Sequence, residues 1–257
     1  MIAKLLYVLP LLAGTAGAQG VNFYNLQREV ALGEHLAAEF RRETRPVESA
    51  AARAYVETIG RRLAAEIGGP AFDYRFALFV DDRGPAPEVV AFPGGFLFVP
   101  SSLILGAQDE DELAGMLAHA IAHIAARDGT KLATKTELMN LAVEPLAMTV
   151  GWTGEAIRNG QSLALPLALL QMQRKAELAA DQAAARAMAN AGYEPEALAR
   201  YIERVQPAEE TKAGIWSPLP GRSRRVQAIR ELGLAPQPHE PRAGLAEAQA
   251  EVRRAIR

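Results

Sequence analysis

The sequence predicts an α+β fold, mainly helical with one small β-sheet. Three observations carry that prediction. Apolar residues at helical spacing fill the stretch 22–68, short β-rich pieces are confined to 74–99, and the helical signal returns from Asp109 onward. Helices, then strands, then helices is the order of folds with a segregated sheet. Among the 257 residues there is no cysteine, so disulfides contribute nothing and any metal must be held by histidine and carboxylates. A formal charge of −2 gives no electrostatic case for a nucleic-acid partner.

The first residues read as an address. Lys4 supplies a positive start, residues 5–12 a short apolar core and Ala16-Gly17-Ala18 a small-residue cleavage site, which together describe a secretory signal peptide over 1–18. The apolar core is shorter than the roughly 20 residues needed to span a bilayer. No cysteine follows the cleavage site, which excludes lipid attachment there. The expectation is one periplasmic or secreted domain over 19–257, without a membrane span.

Two helical runs fill 22–68, separated at Arg45-Pro46. After Gly68-Gly69-Pro70 the pattern turns to strands: "YRFALFV" (74–80), "EVVAF" (88–92) and "GFLFV" (95–99). Pro93-Gly94-Gly95 is a tight turn suited to join the last two as a hairpin. From Asp109, "DEDELAGMLAHAIAHIAARD" is acidic at its start and basic toward its end, as the helix dipole favours. The stretch 131–170 is apolar but broken by Pro145, Gly151, Gly154, Gly160 and Pro166. It reads either as a helical lid hinged at those residues or as ordinary core helices. A long helix follows over Leu167–Asn190, ended by Ala191-Gly192-Tyr193-Glu194-Pro195. Another reaches about Val205, and the tail from Ala243 is charged and helical.

His119 and His123, two of the four histidines in the chain, stand four apart in the helix from Asp109. Side chains at i and i+4 share one helix face, so both imidazoles can reach one ion. Alone, H-x-x-x-H is a weak signal. The later helix strengthens it: in "RKAELAADQ", Glu177 and Asp181 are a carboxylate pair in an apolar setting, where such groups need partners. Glu177 would complete a two-histidine, one-carboxylate zinc site. Asp181 would accept the second ring N–H of a ligand histidine and fix its orientation.

These stretches resemble the gluzincin metallopeptidases of the HtpX, Oma and BepA type, peptidase family M48. "NFYNLQREVALGEHLAAE" and "AYVETIGRRLA" are similar to the family's N-terminal helices, and "VVAFPGGFLFV" to its strand pair and turn. "DELAGMLAHAIAHIAARD" is similar to its H-E-x-x-H helix, and "RKAELAADQAAARAMANAGYEP" to its R-x-x-E-x-x-A-D helix. The resemblance implies one zinc per chain on His119, His123 and Glu177, with Asp181 behind them. It implies an unfolded or extended polypeptide as substrate and a role in envelope protein quality control.

The chain departs from the family's pattern at three places. The glutamate after the first histidine is Ala120. The family's late T-H-P segment and its arginine correspond to "WSPLPGRSRRV", with Ser217 at the histidine's place and Arg224 or Arg225 as the arginine. Asp128 stands where the family often has a histidine just past the active-site helix. In the family the glutamate takes the proton of the attacking water, help worth about 10²–10⁴ in rate. The expectation is therefore a chain that holds zinc and cleaves very slowly. The alternative is a non-catalytic, zinc-stabilised pseudoprotease acting as a holdase or adaptor. Glu-to-Ala is the usual change for trapping a protease, while the retained signal sequence suggests a natural pseudoprotease. Finally, "GFLFV" reads as an edge strand that adds an extended peptide through Gly95, Phe96, Leu97 and Phe98, or equally as a buried strand.

Overall fold

A computed structural model describes residues 22–81, 88–142, 167–206, 219–237 and 244–257. Two N-terminal helices, α1 (Leu26–Glu43) and α2 (Ala50–Ile67), precede three strands, β1 (Arg75–Phe79), β2 (Val90–Phe92) and β3 (Phe96–Pro100). Then come a short α3 (Ser101–Gly106), α4 (Glu110–Ala126), α5 (Asp128–Ala142), α6 (Leu167–Asn190), α7 (Pro195–Val205), α8 (Arg222–Arg230) and α9 (Leu245–Ala255). The architecture is the mainly helical α+β fold the sequence predicts.

Local chemistry explains most boundaries. Asn25 and Ser49 cap α1 and α2, their side chains accepting from Arg28 N and Ala52 N. The Pro93-Gly94-Gly95 turn makes β2 and β3 an antiparallel hairpin, with Phe92 opposite Phe96. Gly94 and Gly95 sit at φ 79° and 106°, and a Cβ on Gly94 would lie 2.6 Å from Val30 Cα. Helix α1 crosses that turn so closely that a Cβ on Gly33 would meet Pro93 O at 1.7 Å.

β1 joins the hairpin parallel to β3, giving the order β1-β3-β2. Residues alternate across β3, and both of its faces are covered. Leu97 and Val99 enter the main core, which draws residues from α2, α3, α4 and α6 to α9, while Phe96 and Phe98 face a second cluster with Phe79, Phe92 and Ala37. Phe40 of α1 closes that cluster, its ring 4.7 Å from Phe98 and 5.1 Å from Phe79. One expectation changes here. "GFLFV" is not an edge strand, because its main chain is paired on both sides and all five residues of β3 are buried. Extended peptide therefore cannot add to Gly95, Phe96, Leu97 or Phe98; the sheet's outer strand on that side is β2. The start of the stretch 131–170 is regular helix, α5 running to Ala142, which fits a helical lid and core helices alike. The remainder of that stretch up to residue 166 lies outside the described residues, as do Ser217 and the residues expected to form a signal peptide.

No helix among the described residues is long and apolar enough to cross a membrane.

Candidate metal centre

Helix α4 positions the two histidines. Its start is fixed by Asp109, which accepts from Glu112 N at 2.8 Å, and by acidic residues in the first turn. Residues 113–118 are apolar and buried, which seats the helix in the core beneath the site. α6 packs along it and brings a carboxylate to the histidine face.

There, His119 Nε2 lies 3.1 Å from His123 Nε2 and 3.4 Å from Glu177 Oε2, and His123 Nε2 lies 3.5 Å from Glu177 Oε1. A tetrahedral ion about 2.0–2.1 Å from each donor would separate its ligands by roughly 3.3–3.4 Å. The two imidazole nitrogens and the two oxygens of the Glu177 carboxylate stand close to that spacing, and among the described residues these three side chains form a group able to hold a metal. The donor set of two imidazoles and one carboxylate suits zinc with one position left open. The side chains retain 13%, 23% and 20% exposure.

Each histidine leans on a second carboxylate. His119 Nδ1 is 2.9 Å from Asp181 Oδ1, and His123 Nδ1 is 2.8 Å from Asp128 Oδ2. Asp181 is fully buried and receives two bonds from Arg225, Nε to Oδ2 and Nη2 to Oδ1, both 2.8 Å. Of the two candidate arginines, then, Arg225 reaches the site, while Arg224 is exposed. Arg225 also donates to Gln206 Oε1 at 3.3 Å.

The electrostatics follow from this packing. Burial favours neutral groups, yet hydrogen bonds with His119 and His123 hold the Glu177 carboxyl well below its usual range. Burial would lower His123, but its bonds with Asp128 and Glu177 push it up to about 10. His119 is raised by Asp181 against the same burial, and Asp181 is lowered by Arg225 against its own. Glu88, just ahead of β2, was not singled out in the sequence. Desolvation and the Glu177 charge raise its carboxyl, and it lies within electrostatic reach of both histidines and Arg225.

Ala120 follows His119 with only 4% exposure, its methyl packed in the main core. It has no atom that accepts a proton.

A helical domain with a small sheet, carrying a two-histidine and glutamate centre backed by an arginine-held aspartate, defines a zincin-type metallopeptidase scaffold. The model of Peptidase family M48 matches residues 50–233, and the chain belongs to that family. It is 24% identical over 205 residues to the beta-barrel assembly-enhancing protease of Yersinia pestis, covering 77% of this chain and 41% of that protein. It is 29% identical over 180 residues to the mitochondrial metalloendopeptidase OMA1 of Schizosaccharomyces pombe, covering 69% and 52%. The beta-barrel assembly-enhancing protease of Escherichia coli is 22% identical over 196 residues, covering 74% and 40%. The chain thus spans between 40% and 52% of the length of these relatives.

Proposed function

We propose that this chain is a zinc metalloendopeptidase domain of envelope protein quality control, exported to the periplasm, whose peptide hydrolysis is held down by Ala120. The observation that carries the reading is the metal-ready spacing of His119, His123 and Glu177 beside a missing carboxylate. The names of the bacterial relatives support the envelope, and the N-terminal Lys4-to-Ala18 pattern supports export.

Zinc, when bound, activates water and polarises a peptide carbonyl. The residues of this chain supply the rest. His119 and His123 present their Nε2 atoms, Glu177 balances charge with its carboxylate, and Asp181 and Arg225 hold His119 in place. Nothing at position 120 can take a proton from water or return one to a leaving amine. An extended polypeptide would lie along β2, the strand that packs on α4. The buried methyl of Ala120 also supports a second reading, a zinc-stabilised pseudoprotease that holds unfolded segments without cutting them.

Ala120→Glu separates the two. The restored carboxylate is expected to raise casein cleavage by about 10²–10⁴ in a zinc-loaded, chelator-sensitive assay. Because Ala120 is buried, the metal-free variant should melt lower than the parent and recover when zinc is added. A folded, zinc-loaded Ala120→Glu chain that cleaves no faster than the parent favours the holding protein.

A further inference from the structure

The second ligand histidine is held by a residue that does not belong to its helix. α4 ends at Ala126, Arg127 takes the left-handed conformation at φ 59° and ψ 33°, and α5 begins at Asp128. Left-handed backbone is unfavourable for a residue with a Cβ, so something must hold it. Arg127 N–H donates to His123 O and Ile124 O, and its side chain donates to Glu29 Oε2 at 2.5 Å and to Tyr24 O. Glu29 is buried, so the turn is anchored from α1.

That break decides where Asp128 points. On an unbroken helix, five residues turn the chain about 140° away from the starting face. Asp128 would then point away from His123. The left-handed step breaks the helix instead, and the Asp128 carboxylate lies 2.8 Å from His123 Nδ1. With Nδ1–H donating to Asp128, the Nε2 lone pair of His123 faces His119 and Glu177.

We propose that Asp128 is a positioning residue for the metal, fixing the tautomer and aim of His123 as Asp181 does for His119. The proposal rests on the reading that His119, His123 and Glu177 hold zinc. It assigns tight zinc retention to a pair of carboxylates, one on each histidine, independent of the group at position 120. A plain surface ion pair is the competing role. His123 and Asp128 are each 23% exposed, and a pair this open to water contributes little to folding. Its effect should therefore appear in metal affinity rather than in stability.

The experiment uses the whole chain, stripped of metal and titrated with zinc against a chromophoric chelator. Asp128→Ala is expected to weaken zinc binding by about 10–100-fold. Asp128→Asn keeps an acceptor oxygen without its charge and should fall between the two. In cobalt-loaded protein the visible absorption of Asp128→Ala should shift as His123 loses its orientation, while the metal-free melting midpoint stays near the parent's. Parent-like zinc affinity and cobalt spectra in both variants overturn the proposal. So does a loss of zinc matched by an equal loss of metal-free stability, which would assign Asp128 to the turn alone. A parent chain that binds no zinc instead refutes the metal centre itself.

Discussion

Removing the Arg225 side chain is the sharpest test of how the site is built into the fold. Asp181 is 0% exposed, and both of its oxygens are bonded by Arg225 at 2.8 Å. Arg225→Met leaves a carboxylate in an apolar setting with His119 as its remaining charged neighbour. Deleting one partner of a buried ion pair costs about 3–5 kcal/mol, since the other charge stays without its counter-ion. For a chain of this size each kcal/mol moves the melting midpoint by about 2–4 °C, so a drop of roughly 6–20 °C is expected. The assay is thermal unfolding of metal-free protein at neutral pH. Arg225 holds the Asp181 carboxyl below its ordinary value, so its stabilising effect is present above that value and is lost as pH falls. The gap between parent and variant should therefore narrow in acid. The double variant Arg225→Met, Asp181→Leu replaces both charges with apolar groups and should recover most of the loss, because desolvating the pair also costs free energy. That double variant should still bind zinc more weakly, by about 10–100-fold, for want of the carboxylate behind His119. A single variant within about 1 kcal/mol of the parent, or a double variant no better than the single, would refute the assignment of Asp181 and Arg225 as a mutually dependent buried pair.

Three further expectations concern the metal and the turn. With His123 raised to about 10 and His119 raised as well in the metal-free chain, zinc must displace protons, so its affinity should rise by at least about tenfold per pH unit as pH climbs toward 10. Calorimetry in buffers of different ionisation enthalpy should count at least about one proton released per zinc. Glu177→Ala should remove most bound zinc by elemental analysis, and undiminished zinc would take Glu177 out of the site. Gly33→Ala drives a methyl onto Pro93 O and should destabilise the chain by about 1–3 kcal/mol, read by denaturant midpoint.

What could be read from sequence depended on whether a contact lies within one regular element. His119 and His123 were legible because a helix fixes where i and i+4 point. The partner helix was legible because its run is long and its stop, Ala191 to Pro195, is explicit. Glu177 and Asp181 then stood out as charges with nowhere apolar to go. The sheet was harder. A hairpin turn sets β2 beside β3, but nothing local says on which side β1 adds. One signal did argue for the middle: "FLFV" is apolar on both alternating faces, which suits a strand covered twice better than an edge. Short α3 passed unseen because six residues hold too little period. α8 passed because its apolar face is only Val226 and Ile229 among many polar residues. Arg225 is buried there by pairing with Asp181, a reason that no periodicity records.

Asp128 is the extreme case. Its position in the site follows from a left-handed arginine, where sequence rules look for glycine, and that arginine is held by a glutamate ninety-eight residues earlier. Arg127→Gly should keep the turn, since glycine accepts the conformation without a side-chain tether, and His123 should keep its partner. Glu29→Gln should then matter less in the Arg127→Gly background than in the parent, when both are scored by zinc affinity. Equal effects in the two backgrounds would mean that Glu29 acts on the site by some route other than Arg127.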